Sequence, residues 1–272
     1  MLDSADDQWA GQMARLWGVA LAPGGMETFS GTLRFGDRQG RAVVLKVFKP
    51  GSDERPGIPA LRHFAGHGAV EVLEACDTGL LMPRLTPGHD LTTLDDYAAT
   101  RVFCDVAARL HAAGPAPDGC PTVADWGEGF RRHRISGKEG IPTAFLDDAE
   151  ALFSELANSQ ADRVLLHGDL HHYNILWDAV SGWTVIDPKG VIGEPAYETG
   201  AFLRNPDDRA LSANPSVLAY RLDMLAEQLG HDRQRMLAWH FAQAVLSAIW
   251  CIEDGWDPSG ALETAESARS LL

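Results

Sequence analysis

The chain has 272 residues, 45% of them hydrophobic and 22% charged, with 23 Lys and Arg against 38 Asp and Glu for a formal net charge of -15. That length and composition suffice for one large domain or two lobes sharing an interface, with a core that needs no covalent staples. Such an acidic balance argues against nucleic acid as the main partner, because phosphate backbones demand Lys and Arg; it fits plain solubility or a cationic ligand drawn in by the protein's field.

Cys76, Cys104, Cys120 and Cys251 are scattered without a C-x-x-C pair, which favours reduced thiols over disulfides or a zinc site. No apolar run approaches the roughly 20 residues of a membrane span. The opening MLDSADDQWA lacks the basic-then-apolar pattern of a secretory leader. The expectation is a soluble, cytoplasmic protein without a membrane partner; no pattern in the chain specifies an oligomeric state.

In chain order, METFSGTLRF (26–35) reads as a strand, GDRQG as a turn and RAVVLKVF (41–48) as a second, β-branched strand, making a hairpin. Ser52 or Asp53 is placed to cap a short helix that ends before Gly66 and Gly68, with Pro56 and Pro59 limiting its regularity. AVEVLEACDTGLLMPRL (69–85) reads as two strands split at Asp77–Gly79. Residues 1–85 thus form a β-rich lobe with one helix. TPGHD (86–90) reads as a connector to a mainly helical lobe, residues 86–272.

In that second lobe Leu94, Tyr97, Val102, Val106 and Leu110 recur at helical intervals, and Gly114-Pro115 stops the run. Further helices are expected near Trp126–His133, Thr143–Ala157, Ser216–Leu229 and Asp232–Ile252. The last is apolar on several sides and reads as buried. The stretch 164–187 interrupts them as short apolar strands around a polar loop, with a turn at Ser181-Gly182.

That interruption carries the chemistry. His167, Asp169, His171, His172, Asn174 and Asp187 lie between short apolar runs, and polar groups at the ends of buried strands are costly unless they act. Asp169 and Asn174 are separated by four residues, the spacing of the catalytic loop H-R-D-x-x-x-x-N, and Asp187 closes the strand VID thirteen residues after Asn174. Phosphoryl transfer needs one carboxylate near the attacking hydroxyl and hard oxygen ligands for Mg²⁺ beside the phosphates. Asp169 fits the first role; Asn174 and Asp187 fit the second. A zinc site on the three histidines lacks the ligand spacing such a site requires, and a fixing role suits His167 better. His231 and His240 read as ordinary surface or core residues.

Lys46 lies inside AVVLKVF, sharing a strand face with Val44 and Phe48, where a kinase keeps the lysine that meets the ATP phosphates; an edge-strand lysine is the structural alternative. Glu54 is the first choice for its acidic partner, with Asp53 and Glu71 as alternatives. No G-x-G-x-x-G or Walker A sequence is present. Instead Thr28, Phe29, Ser30 and Gly31 offer amides and a hydroxyl to cover phosphates, and the apolar connector from Met82 to Leu85 offers a seat for adenine.

With these residues in view, the sequence resembles the aminoglycoside phosphotransferases, in the branch of the streptomycin 6-kinases and the aminoglycoside/hydroxyurea resistance kinases. The resemblance rests on HGDLHHYN (167–174), GWTVIDPKGVIGEPAYE (182–198), GHGAVEVLE (66–74), TFS ahead of the lysine strand, and LSAIW (246–250), and it spans nearly the whole chain. It implies an α+β, bilobal, protein-kinase-like fold with the active site in the cleft. It implies Asp169 as catalytic base, Asn174 and Asp187 as magnesium ligands, and Lys46 with Glu54 framing ATP; Pro188 stands where protein kinases carry the Phe of DFG. Glu194, Glu198, Asp254 and Asp257 are candidates for a pocket that takes a small cationic substrate, each with a solvated-surface alternative. The expected activity is ATP- and Mg²⁺-dependent phosphorylation of a hydroxyl on an aminoglycoside such as streptomycin. The rivals are the same chemistry on another alcohol, amino alcohol or hydroxyurea-like molecule, and a nucleotide-binding pseudokinase.

Overall fold

The computed structural model describes residues 4–28, 30–49 and 57–272. The chain opens with α1 (Ser4–Trp17), followed by β1 (Ala20–Leu21), β2 (Met26–Glu27), β3 (Gly31–Arg38), β4 (Arg41–Phe48), α2 (Gly57–His63), β5 (Glu74–Cys76) and β6 (Gly79–Pro83). The strands form an antiparallel sheet in the order β1-β3-β4-β6-β5, with β2 also paired to β3. Alternation along β4 divides its side chains between two cores. Val43, Leu45 and Val47 pack with Ala10, Met13, Ala14 and Trp17 of α1 on one face. Phe48 and Val44 join Leu61, Val70, Leu80 and Met82 on the other, the face that also carries Lys46.

Several local expectations need correction. The run METFSGTLRF is not one strand: Thr28 Oγ1 donates to Gly31 O (2.8 Å) and accepts from Gly31 N (3.1 Å), closing a turn between β2 and β3. Thr28 N also donates to Gly31 O (2.8 Å), so the hydroxyl reinforces a tight turn that reverses the chain from β2 into β3. The hairpin turn is narrower than GDRQG. Gly36 and Asp37 stay paired with Val43 and Ala42, and only Gln39 (φ 57°) and Gly40 (φ 82°) turn the chain, as a two-residue loop requires. The expected caps Ser52 and Asp53 lie outside the described residues. The described part of that helix begins at Gly57 and holds Pro59 in its first turn, where a missing N–H costs nothing. The first lobe also holds α1, which the sequence reading did not include.

The second lobe begins with β7 (Pro87–Asp90), then α3 (Asp96–His111), α4 (Val123–Ser136), α5 (Thr143–Asn158), β8 (Val164–Leu166), β9 (Ile175–Asp178), β10 (Gly182–Val185) and β11 (Val191–Gly193). It continues through α6 (Pro195–Leu203), α7 (Arg209–Ser212), α8 (Pro215–Leu229), α9 (Arg233–Asp254) and α10 (Ser259–Arg269). The connector is not irregular: β7 pairs with β9 in the sheet β10-β9-β7, and Thr86 N donates to Asp178 Oδ1 (2.9 Å). β11 pairs with β8. α9 is the core helix. Its Met236, Leu237, Trp239, Phe241, Val245, Leu246 and Ile249 are buried, and α4, α5, α6, α8 and α10 cover it. The two short sheets therefore sit at the lobe's surface facing the first lobe, and their loops meet β4 across a cleft.

Candidate active site

The loop between β8 and β9 is fixed from behind before its chemistry is exposed. His167 is fully buried; its Nδ1 accepts from Asp169 N (3.2 Å) and its Nε2 donates to Ile186 O (2.9 Å), which defines one neutral tautomer. Burial lowers its pKa, and the opposing pull of Glu198 does not restore it. Glu198, itself 2% exposed, accepts from His167 N (2.7 Å) and Gly168 N (2.9 Å). Gly168 has φ 84°, and a Cβ there would lie 2.8 Å from the Trp126 ring, so the position admits only glycine.

Asp169 follows, with about a third of its carboxylate exposed to the cleft (35%). Burial pushes its pKa up, but the neighbouring His171, His167 and Arg204 outweigh that and hold the carboxyl well below the usual range. His171 Nε2 lies 3.5 Å from Asp169 Oδ2. Asn174 Nδ2 donates to Asp169 O (2.9 Å), which commits the amide nitrogen inward and leaves the oxygen as the group for a cation. His172 turns away from the cleft and stacks on Phe202 with centroids 4.4 Å apart. Burial, then Arg221 and His171, lower its pKa to about 3. Among the described residues, no group of three or more His, Cys, Asp or Glu side chains is gathered to hold a metal ion.

Asp187 comes two residues after β10 and has φ 61°, a left-handed conformation that is uncommon outside glycine and often marks a functional turn. Its carboxylate pairs with Nζ of Lys46, a lysine only 4% exposed. Ile186 N bonds Asn174 O (3.0 Å), so the strand that carries Asp187 is tied to the loop that carries Asn174.

Two connected cavities share this junction. The first, about 560 Å³, is lined by Leu33, Val44, Met82, Leu85, Leu176 and Ile186, and reaches Lys46, Asn174 and Asp187 at one end. It is a flat apolar slot closed by charged groups, with Arg84 at its rim stacked 4.7 Å from the Phe35 centroid. Arg84 N is committed to Ala42 O (2.9 Å), so that connector amide belongs to the sheet. The second cavity, about 860 Å³, opens on the other side of Asp187 and Asn174 and holds Asp169, Ser30, Lys49, Lys189 and Arg204. Its far wall carries Trp126 and Trp250, edge to face at 5.9 Å, with Asp125, Glu253 and Asp254.

The structure thus gathers Lys46, Ser30, Met82, Leu85, Asp169, Asn174, Asp187 and Asp254 around one cleft. It does not bring Glu194 and Glu198 there. Glu194 is 7% exposed and bound by Arg235 Nε (2.6 Å) and the Trp239 indole N–H, while Glu198 caps the loop amides. Both follow β11, a strand the sequence did not announce, which turns α6 into the core. Glu54 lies outside the described residues. The sequence reading missed Asp125, Trp126, Trp250 and Glu253, as well as Arg204 and Lys189. Their separation along the chain hides them, although Trp126 and Trp250 fall within expected helices.

Comparison with known proteins agrees with this geometry. Residues 17–255 match the family model described as aminoglycoside/hydroxyurea antibiotic resistance kinase. A streptomycin 3''-kinase of Klebsiella pneumoniae is 35% identical over 80% of this chain and 83% of its own. A hydroxyurea phosphotransferase of Kitasatospora aureofaciens is 32% identical over 88% of this chain and 71% of its own. Among solved structures, a choline kinase from Streptococcus pneumoniae superposes with a TM-score of 0.70 at 13% identity, covering 98% of this chain and all (100%) of that one. The aminoglycoside phosphotransferase APH(4)-Ia, as a thermostable mutant, gives 0.67 at 18% identity, over 96% of this chain and 98% of that one. The protein-kinase-like fold is therefore shared, and the chain belongs to the aminoglycoside/hydroxyurea antibiotic resistance kinase family.

Proposed function

We propose that this kinase transfers the γ-phosphoryl group of ATP to a hydroxyl of a small cationic molecule, an aminoglycoside of the streptomycin type. The observation that carries the reading is the placement of Asp169 in the second cavity, next to Asn174 and Asp187, which line both cavities. It lies on the acceptor side of the Lys46–Asp187–Asn174 group, beside an aromatic and acidic wall. In this reading residues 1–85 are the nucleotide lobe and 86–272 the catalytic and acceptor lobe, acting in the cytoplasm where ATP is present.

Adenine enters the apolar slot between Leu33 and Val44 above and Leu176 and Ile186 below, near Met82 and Leu85. Lys46 then exchanges its pairing with Asp187 for the phosphates, and Ser30 lies within the same cleft. The Asn174 oxygen and the Asp187 carboxylate are hard oxygen donors on adjoining strand ends, a set that fits Mg²⁺. Bound there, the ion supplies neutralisation of charge on the phosphate oxygens. Asp169 orients the acceptor hydroxyl and takes its proton as the new O–P bond forms and the bond to the ADP oxygen breaks. A carboxylate held well below the usual range is a weak base. It suits a loose transition state, in which the proton moves late and orientation matters more than basicity.

The acceptor wall supports a cation: Trp126 and Trp250 present π faces and edges, and Asp125, Glu253 and Asp254 present charge. The hydroxyurea phosphotransferase relative favours a second reading, a smaller neutral acceptor, since Lys49, Lys189, Arg132 and Arg204 share the same cavity. A coupled ADP-release assay with Mg·ATP against streptomycin, other aminoglycosides, hydroxyurea and amino alcohols separates them. Saturable turnover with streptomycin supports the first reading, and turnover on hydroxyurea alone supports the second. Nucleotide binding without any acceptor-dependent turnover would leave a pseudokinase.

A further inference from the structure

The motif HGDLHHYN carries two adjacent histidines, and the structure sends them to different surroundings. His172 stacks on Phe202 inside the lobe, whereas His171 lines the acceptor cavity with its side chain 15% exposed. His171 is the N-cap of a 3₁₀ turn, His172–Asn174, and its Nδ1 accepts from Tyr173 N (3.3 Å). The ring also packs edge to face on Tyr173, with centroids 5.7 Å apart, and the Tyr173 hydroxyl accepts in turn from Asp207 N (3.1 Å). The imidazole is therefore held along one edge, and its other nitrogen lies among the groups of the site.

A ring nitrogen that accepts a hydrogen bond carries no proton, so the neutral imidazole bears its proton on Nε2. Asn174 Nδ2 is 3.4 Å from that nitrogen, but it is itself a donor, bonded to Asp169 O, and cannot receive the proton. Asp169 Oδ2, at 3.5 Å, is an acceptor and can. Among the described residues, no other side chain hydrogen-bonds or ion-pairs with that carboxylate. The separation is long for a hydrogen bond, as contacts of catalytic groups often are before substrates close the site. We propose that His171 is a positioning residue, whose Nε2–H holds Oδ2 of Asp169 and so leaves Oδ1 to meet the acceptor hydroxyl. The acceptor's proton goes to Asp169, and His171 keeps its own. The proposal rests on the role given to Asp169 above and adds to it a donor that does not touch the reacting atoms.

His171 thus caps a turn with one nitrogen and faces Asp169 with the other, and two variants of the full chain separate these roles. His171→Asn keeps a side-chain acceptor for the cap but is too short to reach Asp169. His171→Gln carries an N–H out to the Nε2 position but is a poorer cap. ADP release is read with Mg·ATP and each acceptor of the panel above, with water as the acceptor if none of them turns over, beside thermal melts. His171→Asn is expected to melt within about 2 °C of the wild type. It should nonetheless lose kcat about 10- to 100-fold, with KM for Mg·ATP changed by less than about twofold. His171→Gln should melt lower and still keep kcat within about fivefold of the wild type. A kcat that simply follows Tm across the pair would leave only the cap and overturn the proposal. On an Asp169→Asn background, His171→Asn should cost less than about twofold, and full additivity of the two losses would also overturn it. If Asp169→Asn alone leaves kcat unchanged, the reading of Asp169 falls and the proposal with it; if only His171→Asn leaves kcat unchanged, the proposal alone falls. Should His171→Asn not fold, the unmutated chain still decides. Nitrogen-15 imidazole shifts should place the His171 proton on Nε2, and a proton on Nδ1 would overturn the proposal.

Discussion

Replacing Glu198 by Gln changes one atom of a buried side chain, and the geometry sets what that should cost. The carboxylate accepts two backbone N–H groups, at 2.7 and 2.9 Å, both from the first residues of the catalytic loop. An amide keeps one oxygen for one N–H and turns its NH₂ towards the other, so one charge-assisted bond is lost and one buried donor is left facing a donor. Hydrogen bonds to charged groups contribute about 1.5–3 kcal/mol, and an orphaned buried donor costs a similar amount, so Glu198→Gln should destabilise by about 2–3 kcal/mol. For a chain of this size that lowers Tm by about 5 °C. The loop that moves is the one carrying Asp169, and a displacement on the order of 1 Å there lowers turnover by roughly 100-fold. Thermal melts and steady-state kinetics on the same preparation read both effects. Glu194→Gln is the control: its carboxylate is held by Arg235 and Trp239 away from the cleft, so it should lose stability without a matching loss of kcat. If Glu198→Gln keeps both Tm and kcat, the two amides do not depend on that carboxylate and the account of the loop is wrong.

Three further outcomes follow from the same structure. Asp187→Asn should weaken nucleotide binding at least about tenfold in the presence of Mg²⁺ and much less without it, by titration calorimetry; equal losses in both would contradict a ligand role. Gly57 meets Pro188 so closely that a Cβ would lie 2.4 Å from its carbonyl oxygen. Gly57→Ala should therefore push α2 away from the Asp187 turn and cost about 1–3 kcal/mol in denaturant melts, and an unchanged midpoint would show that the contact yields freely. His240 is fully buried, and burial, then Arg204 and Arg221, lower its pKa to about 3. The unfolded chain binds its proton below about 6.5 while the fold resists doing so, so stability is lost as pH falls between those values, by up to about 1.4 kcal/mol per pH unit. Melts from pH 7 to pH 5 should show this slope, and it should shrink in His240→Phe.

The sequence exposed the parts of the site that lie close together along the chain. Asp169, Asn174 and Asp187 are legible because one loop and one strand carry them at a spacing that phosphoryl transfer constrains. Lys46 is legible because a charge in a β-branched strand stands out against its neighbours. The acceptor wall was not legible: Asp125 and Trp126 start α4, while Trp250, Glu253 and Asp254 end α9, and only the packing of those helices joins them. Glu194 and Glu198 misled because carboxylates after a metal strand look like open ligands. Their burial depends on β11 turning the chain inward, and VIG is too short a run to show that. α1 left a trace in Ala10, Met13, Ala14 and Trp17, spaced as one helical face, but an acidic start masked it. The turn at Thr28 was hidden for a different reason, since Phe29-Ser30 carries no Gly, Pro, Asn or Asp to announce a reversal.

The most direct test of the central claim is to follow phosphorus NMR of Mg·ATP and streptomycin with the wild-type chain and with Asp169→Asn at equal nucleotide occupancy. The account predicts a new phosphate monoester on the acceptor with the wild type, and the same bound nucleotide but almost no ester with the variant. Ester formed at a similar rate by both proteins would contradict the assignment of Asp169 and with it the mechanism built on this cleft.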